Sequence, residues 1–259
     1  MKLQAVLWDV DGTIAETERD GHRIAFNLAF EAHGLPWQWS VERYGELLLV
    51  TGGRERLLHD MATRSDAPSM TGERDALARS LHVQKNELYA QIIQAQGIPF
   101  RPGVQNLMEE CLARNVRMAI TTTTSRSNVG ALMRAHLGES WKSWFPVMVC
   151  GEDVAQKKPN PEVYVRALQL LKLNPLDTLA LEDSPGGVAA ACAAQIPVVV
   201  TRSVYFDNAT VEGAIAIGPG LHQRTGWRPL APEAPCTNHI GLDDLLTWRD
   251  RMEHTSQFE

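Results

Sequence analysis

Short, almost wholly apolar runs punctuate this chain at residues 3–8, 116–121, 147–150, 178–181 and 196–200. Each has the length of a strand. An unbroken apolar run with no polar face is what a parallel strand covered on both sides requires. Between the runs the period changes. Behind Arg101-Pro102-Gly103, residues Val104, Leu107, Met108, Cys111 and Leu112 follow i, i+3, i+4, i+7, i+8 spacing, and Val163, Ala167, Leu168 and Leu171 repeat the pattern. Ser184-Pro185 supplies an N-cap followed by proline at the first helical position. Strands alternating with helices predict an α/β protein built on a parallel sheet.

The stretch 16–97 breaks that rhythm. It has no strong strand run and a helical texture instead: Ile24, Leu28 and Ala29; Leu47 and Leu48; Leu57, Leu58 and Met61; Leu77, Leu81 and Leu88. The pattern predicts a helical insert at 16–97 between the first strand and the rest of a core made of 1–15 and 98–259. Crossings near Ala15-Glu16 and Ile98-Pro99 would act as hinges. Gly and Pro in 205–238 predict an extended loop or hairpin, and a last helix over 242–252 is followed by a polar tail.

Composition narrows the function more than the fold. A chain of 259 residues can bury a sizeable core, as one large domain or as a larger one carrying a smaller. A net charge of -6 argues against a nucleic-acid partner, which needs clustered Lys and Arg. Cys111, Cys150, Cys192 and Cys236 are widely spaced without a CxxC pair, which predicts reduced, mostly buried thiols. The eight histidines form no zinc-binding array. No apolar run reaches membrane-spanning length, and Met1-Lys2-Leu3-Gln4 runs straight into a strand. The expectation is a cytosolic monomer acting on a small molecule, with neither membrane nor nucleic acid as partner.

Candidate chemistry gathers where the apolar runs stop. Asp9 and Asp11 follow the first run as Asp9-Val10-Asp11-Gly12-Thr13. Side chains two apart in extended backbone point the same way, and ligands of open parallel sheets bind beyond the carboxyl ends of the strands. One carboxylate can then hold a hard cation and act as nucleophile, while the other exchanges a proton with the leaving group. Taken alone, an Asp-Gly pair is equally a turn. Thr121-Thr122-Thr123-Thr124-Ser125 brings hydroxyls to the end of the second run, although threonine is also an ordinary strand residue. Lys157-Lys158-Pro159 offers a cation for phosphate, or a solvated surface lysine. Glu182-Asp183-Ser184 ends a further run with paired carboxylates, which suit Mg²⁺ or a helix cap. Four such groups in this order, each at a strand end, are not explained by caps and turns.

The same four segments resemble the motifs of the haloacid dehalogenase-like (HAD) phosphohydrolases over essentially the whole chain. The resemblance implies a Rossmann-like core, with 16–97 as a helical cap. It implies Asp9 as the nucleophile forming an aspartyl-phosphate, Asp11 as general acid and base, and Thr122 and Lys158 as phosphoryl-binding groups. Mg²⁺ would be held by Asp9, the carbonyl of Asp11 and Asp183, with Glu182 a ligand or its support. A dehalogenase is disfavoured, because that branch needs neither the second aspartate nor a metal.

Within the insert, Ala15-Glu-Thr-Glu-Arg-Asp-Gly-His22, Thr51-Gly-Gly-Arg-Glu-Arg56 and Leu81-His-Val-Gln-Lys85 are similar to the CbbY branch, near the β-phosphoglucomutases. That branch is associated with carbon fixation and with dephosphorylation of sugar bisphosphates, notably xylulose 1,5-bisphosphate. The resemblance implies substrate contacts from Glu18, His22, Gly52, Gly53, Arg54, Glu55, Arg56, His82 and Lys85. From the core it implies Thr122, Thr123, Thr124, Ser125, Arg126, Asn128 and Lys158. Physically, Gly52-Gly53 before a helix can offer backbone N–H groups to an anion, and Arg54, Arg56 and Lys85 can embrace a second phosphate. The expected activity is a Mg²⁺-dependent sugar-bisphosphate phosphatase. A β-phosphoglucomutase-like mutase or a broad phosphosugar phosphatase would share every core residue, and a non-catalytic phosphosugar sensor would have no need to keep them all.

Overall fold

The computed structural model describes residues 2–232 and 238–255. Six parallel strands form one sheet: β1 Ala5–Trp8, β2 Arg117–Thr121, β3 Val147–Val149, β4 Thr178–Glu182, β5 Val198–Thr201 and β6 Ala216–Gly218. Their order is β3-β2-β1-β4-β5-β6, with Leu7 in register with Ala119 on one side and Ala180 on the other. The first strand is therefore central, and the chain winds outward from it in both directions. The crevice at such a reversal lies at the carboxyl ends of β1, β2 and β4, where the acidic and hydroxyl motifs follow.

Ten α-helices accompany the sheet among the described residues: α1 Arg23–Ala32, α2 Val41–Leu47, α3 Gly53–Ala62, α4 Thr71–Gln96, α5 Val104–Ala113, α6 Arg126–Leu137, α7 Trp141–Trp144, α8 Glu162–Leu171, α9 Pro185–Ala193 and α10 Leu242–Thr255. Alternation along β1 explains the layers. Val6 and Trp8 face a core shared with α5, α6 and α10, and Ala5 and Leu7 face one shared with α8 and α9. Both faces are covered, so the strands carry no polar face. Ser184 caps α9 by accepting from the Gly187 N–H at 3.1 Å, with Pro185 at the first helical position.

Between β1 and β2 the described residues contain no strand. A π-helical turn at Glu18–His22 leads into α1 to α4. These helices pack around Phe26, Phe30, Trp39, Tyr44, Leu57, Met61 and Leu81. The Trp39 indole donates to buried Asp60 at 2.8 Å, which satisfies both polar groups inside this small core. The two leads into the segment lie together: Ala15 bridges Phe100, and the Arg101 N–H donates to the Ile14 carbonyl at 2.7 Å.

The described part of 205–238 is mostly extended loop, as expected, with one strand that was not. The short run Ala214-Ile215-Ala216-Ile217 supplies β6, which adds parallel to β5, and Ile217 exchanges two backbone hydrogen bonds with Arg228, both 2.9 Å. Trp227 then stacks on Trp248 of α10, with ring centroids 4.7 Å apart. A run so brief, flanked by glycines, is too weak a signal to separate from a loop. The last helix reaches Thr255, three residues beyond the expected 252. Cys111 and Cys150 are buried free thiols and Cys192 is half-buried, while Cys236 and the expected polar tail at 256–259 lie outside the described residues. Among the described residues no helix is long and apolar enough to cross a membrane.

Candidate active site

The centre of the site is a buried knot of charge at the ends of β1 and β4. Asp9 follows β1, and its N–H donates to the Leu181 carbonyl at 3.1 Å. The turn beyond it is closed by Gly12 N–H to Ala15 O at 2.8 Å and Ile14 N–H to Val10 O at 2.9 Å. Gly12 has φ +89°, and a Cβ there would stand 2.0 Å from Asp183 Oδ2. Any larger residue would push the two acidic strand ends apart.

Lys158, buried, binds three acceptors: Asp9 Oδ1 at 2.7 Å, the Thr121 carbonyl at 2.9 Å and Glu182 Oε1 at 2.6 Å. Burial alone would lower its pKa, and the Asp9 and Glu182 carboxylates hold it well above the usual lysine value. Tyr164 of α8 donates a further 2.5 Å hydrogen bond to Glu182 Oε1. Glu182 Oε2 is buried without a protein partner. Carboxylate oxygens of Asp9, Glu182 and Asp183 all lie within 4.8 Å of one another. Burial pushes the Asp9 and Asp183 carboxyls well above their ordinary range, and neighbouring carboxylates push the same way. Three buried carboxylates against one lysine are short of positive charge, and an all-oxygen set with an orphaned oxygen fits a hard divalent cation such as Mg²⁺.

Asp11 belongs to a different environment. Its Oδ1 accepts from Thr17 Oγ1 at 2.5 Å and lies 3.0 Å from His22 Nε2. Burial raises its pKa, but His22, Thr17 and the more distant Lys85 together bring it down to about 2. Two neighbouring aspartates are thus driven in opposite directions, the arrangement expected when paired carboxyls serve different tasks.

Two connected lobes open over this centre. The reaction lobe, about 210 Å³, is lined by Asp9, Asp11, Lys158 and Asp183, with Leu48, Leu49 and Phe206 at its apolar side. The distal lobe, about 350 Å³, is lined from the helical segment by His22, Gly52 to Arg56, His82 and Lys85, and from the core by Thr124, Ser125 and Asn128. Asp11, Glu18, Arg56 and Thr123 line both. The N-terminus of α3 begins at Gly53, so Gly52 and Gly53 bring backbone N–H groups to the distal wall.

The cations of that wall are not equivalent. Arg54 is paired with Asp75. Arg56 donates to the Tyr44 hydroxyl at 2.7 Å and the Leu47 carbonyl at 3.2 Å, with Glu18 at 3.6 Å. Glu55 reaches across to Lys157 of the core at 2.7 Å. Lys85 is buried above the rings of Phe26 and Tyr89, and its one hydrogen bond among the described residues is 3.4 Å, to Asn86. Burial lowers its pKa to about 8. His82, half-buried near Lys85 and Lys157, is lowered to about 4 chiefly by burial.

Nearly all the residues singled out from sequence thus face one cleft. Thr122 stands behind its wall, with its N–H on the Val149 carbonyl at 3.0 Å and its hydroxyl accepting from Thr124 N–H at 3.2 Å. Arg126 turns outward to Asp153 and the Met148 carbonyl. Sequence reasoning passed over Tyr44, Tyr164, Thr17, Asn86 and Phe206, and it named Lys157 only as the neighbour of Lys158. Asn86 and Lys157 adjoin the chosen Lys85 and Lys158, so adjacency was a usable signal. Tyr44 and Tyr164 carry none, because each reads as an apolar helix position until its hydroxyl is seen to meet a carboxylate.

The haloacid dehalogenase-like hydrolase family matches residues 3–195. Protein CbbY of Rhodobacter capsulatus is 46% identical over 205 residues, covering 79% of this chain and 88% of that one. The plasmid-borne CbbY of Cupriavidus necator is 40% identical over 241 residues, covering 93% and 94%. A crystal structure of a CbbY variant from Rhodobacter sphaeroides, in complex with xylulose-(1,5)-bisphosphate, superposes with a TM-score of 0.77 at 38% identity, over 82% of this chain and 92% of that one.

Proposed function

The chain belongs to the CbbY branch of the haloacid dehalogenase-like hydrolases and is a sugar-phosphate phosphatase; from that premise we propose that it is a Mg²⁺-dependent enzyme removing one phosphate from a sugar bisphosphate, with xylulose 1,5-bisphosphate as its substrate. The observation that carries this reading is the two-lobed cleft. One lobe ends in Asp9, Lys158 and Asp183, and the other holds Lys85, a buried cation without an ion pair among the described residues. Such a lysine suits a second, non-reacting phosphate. The complex of the Rhodobacter sphaeroides relative with xylulose-(1,5)-bisphosphate supports the choice of sugar.

Phosphoryl transfer depends on positioning and charge stabilisation. In the proposed reaction Asp9 attacks phosphorus and forms an aspartyl-phosphate, while Lys158 and the Thr122 segment hold the phosphoryl oxygens. Asp11 gives a proton to the departing sugar oxygen and then takes one from the water that clears the intermediate. His22 and Thr17 hold Asp11 down to about 2 in the free site, and a bound phosphate nearby would raise it towards the protonated form that the departing oxygen needs. Asp9, Asp183, the carbonyl of Asp11 and Glu182, as ligand or support, would hold Mg²⁺, which when bound offsets the carboxylate charge and polarises the phosphoryl oxygens. Segment 16–97 serves as the cap, closing the distal lobe over the sugar and excluding water.

The test is phosphate release with Mg²⁺ from xylulose 1,5-bisphosphate, ribulose 1,5-bisphosphate, fructose 1,6-bisphosphate and β-glucose 1-phosphate. Strong preference for the first is the expected result. Glucose 6-phosphate appearing from β-glucose 1-phosphate, with little release, would instead make the enzyme a mutase.

A further inference from the structure

The three hydrogen bonds of Lys158 leave it no N–H for a substrate. An ammonium has three donors, and these go to Asp9, Thr121 and Glu182. A phosphoryl oxygen can be received only in exchange for one of them. The Thr121 carbonyl is fixed at the end of β2, and Asp9 is the group that must approach the same phosphorus. Glu182 is the acceptor that can be released, because Oε1 already has a second donor in the Tyr164 hydroxyl at 2.5 Å. A buried carboxylate stripped of its last donor carries a heavy desolvation cost. Tyr164 is fully buried, and its ring lies 5.3 Å from the Lys158 ammonium. Phenylalanine would serve packing equally well there, so the hydroxyl calls for a separate explanation.

We infer that Tyr164 is a positioning residue that keeps Glu182 Oε1 satisfied while Lys158 turns from it to the transferring phosphoryl group. Tyr164 touches no substrate and acts through Glu182 and Lys158. The inference rests on the phosphoryl-transfer reading above.

Tyr164→Phe keeps the ring and removes one oxygen, so the fold is retained. Wild type and variant are compared in Mg²⁺ for kcat, for the dissociation constant of inorganic phosphate by calorimetry, and for Tm. The expected result is a kcat lower by about tenfold and phosphate binding weaker by a similar factor, with Tm lowered by no more than several degrees, on the order of 10 °C at most. Phosphate affinity and kcat both within about twofold of wild type would overturn the inference. A lower Tm with unaltered phosphate affinity would do the same, by reducing the hydroxyl to a structural role. If the wild type released phosphate from no sugar ester, the functional reading would fail separately, and the two phosphate affinities would still decide the part played by Tyr164.

Discussion

The two ends of the cleft are built on opposite principles. At the reaction end, short side chains stand directly on the ends of strands. Asp9, Glu182 and Asp183 are placed by backbone register, and a glycine with no room for a Cβ keeps the strand ends in contact. At the distal end, long side chains project from helices and are steered by partners: Arg54 by Asp75, Arg56 by Tyr44 and Glu18, Glu55 by Lys157. The first arrangement tolerates almost no displacement and suits chemistry that is the same for every phosphate ester. The second can be altered one side chain at a time without disturbing the sheet, which suits the choice of sugar.

The sharpest way to break this contrast is at the reaction end. Asp9→Asn should lower kcat by roughly a thousandfold or more, since an amide cannot form the acyl phosphate. Measurable turnover near wild type in a steady-state phosphate assay would remove Asp9 from the mechanism. Chelation by EDTA should abolish activity, with recovery on adding Mg²⁺, and metal-independent turnover would show that the acidic trio serves another purpose.

Distal changes should act differently. Lys85→Met should reduce kcat/KM for a bisphosphate by about ten- to a hundredfold relative to a monophosphate of the same sugar, the range of one lost charged hydrogen bond. An unchanged ratio would move the second phosphate elsewhere. The same lysine sets a pH dependence. With pKa about 8 it is cationic below that pH and neutral above it, so KM for the bisphosphate should rise as pH passes upward through about 8. A bound phosphate would shift the step in the complex higher, and the step should be absent in Lys85→Met. The smallest expected effect belongs to Glu55→Gln. Its partly exposed ion pair with Lys157 is worth at most about 1 kcal/mol, readable as a few-fold change in KM with kcat preserved.

The same contrast explains what was legible in the sequence. The strand-end motifs could be read because register ties a short polar group to an apolar run, so Asp9, Glu182 and Asp183 were visible before any fold, whereas Lys158, in the loop between β3 and α8, was legible only from its Lys-Lys-Pro setting. The parallel sheet followed from runs with no polar face. The order of the strands, and the sixth among them, did not, since a run as short as 214–217 looks like a loop until β5 is beside it. In the distal lobe, sequence offered Arg54, Arg56 and Lys85 as three equal cations. Their inequality arises only from Asp75, Tyr44 and Glu18, which are near in space and carry no shared spacing. Buried tyrosines such as Tyr164 stayed hidden for the same reason.

The paired leads of the inserted segment carry a consequence for how such a protein can be re-engineered. The chain departs at Ala15 and returns at Phe100 through a single bridged crossing. Between them the chain never enters the sheet, yet α4 shares a core with α6 through Tyr89, Ile92 and Ile93, and Glu55 pairs with Lys157; the segment's content can therefore be exchanged without re-threading a strand, provided that the α4 face is kept. A chimera that splices in a relative's segment while keeping Tyr89, Ile92 and Ile93 against α6 should fold around the same charge knot and inherit the donor's taste in sugars.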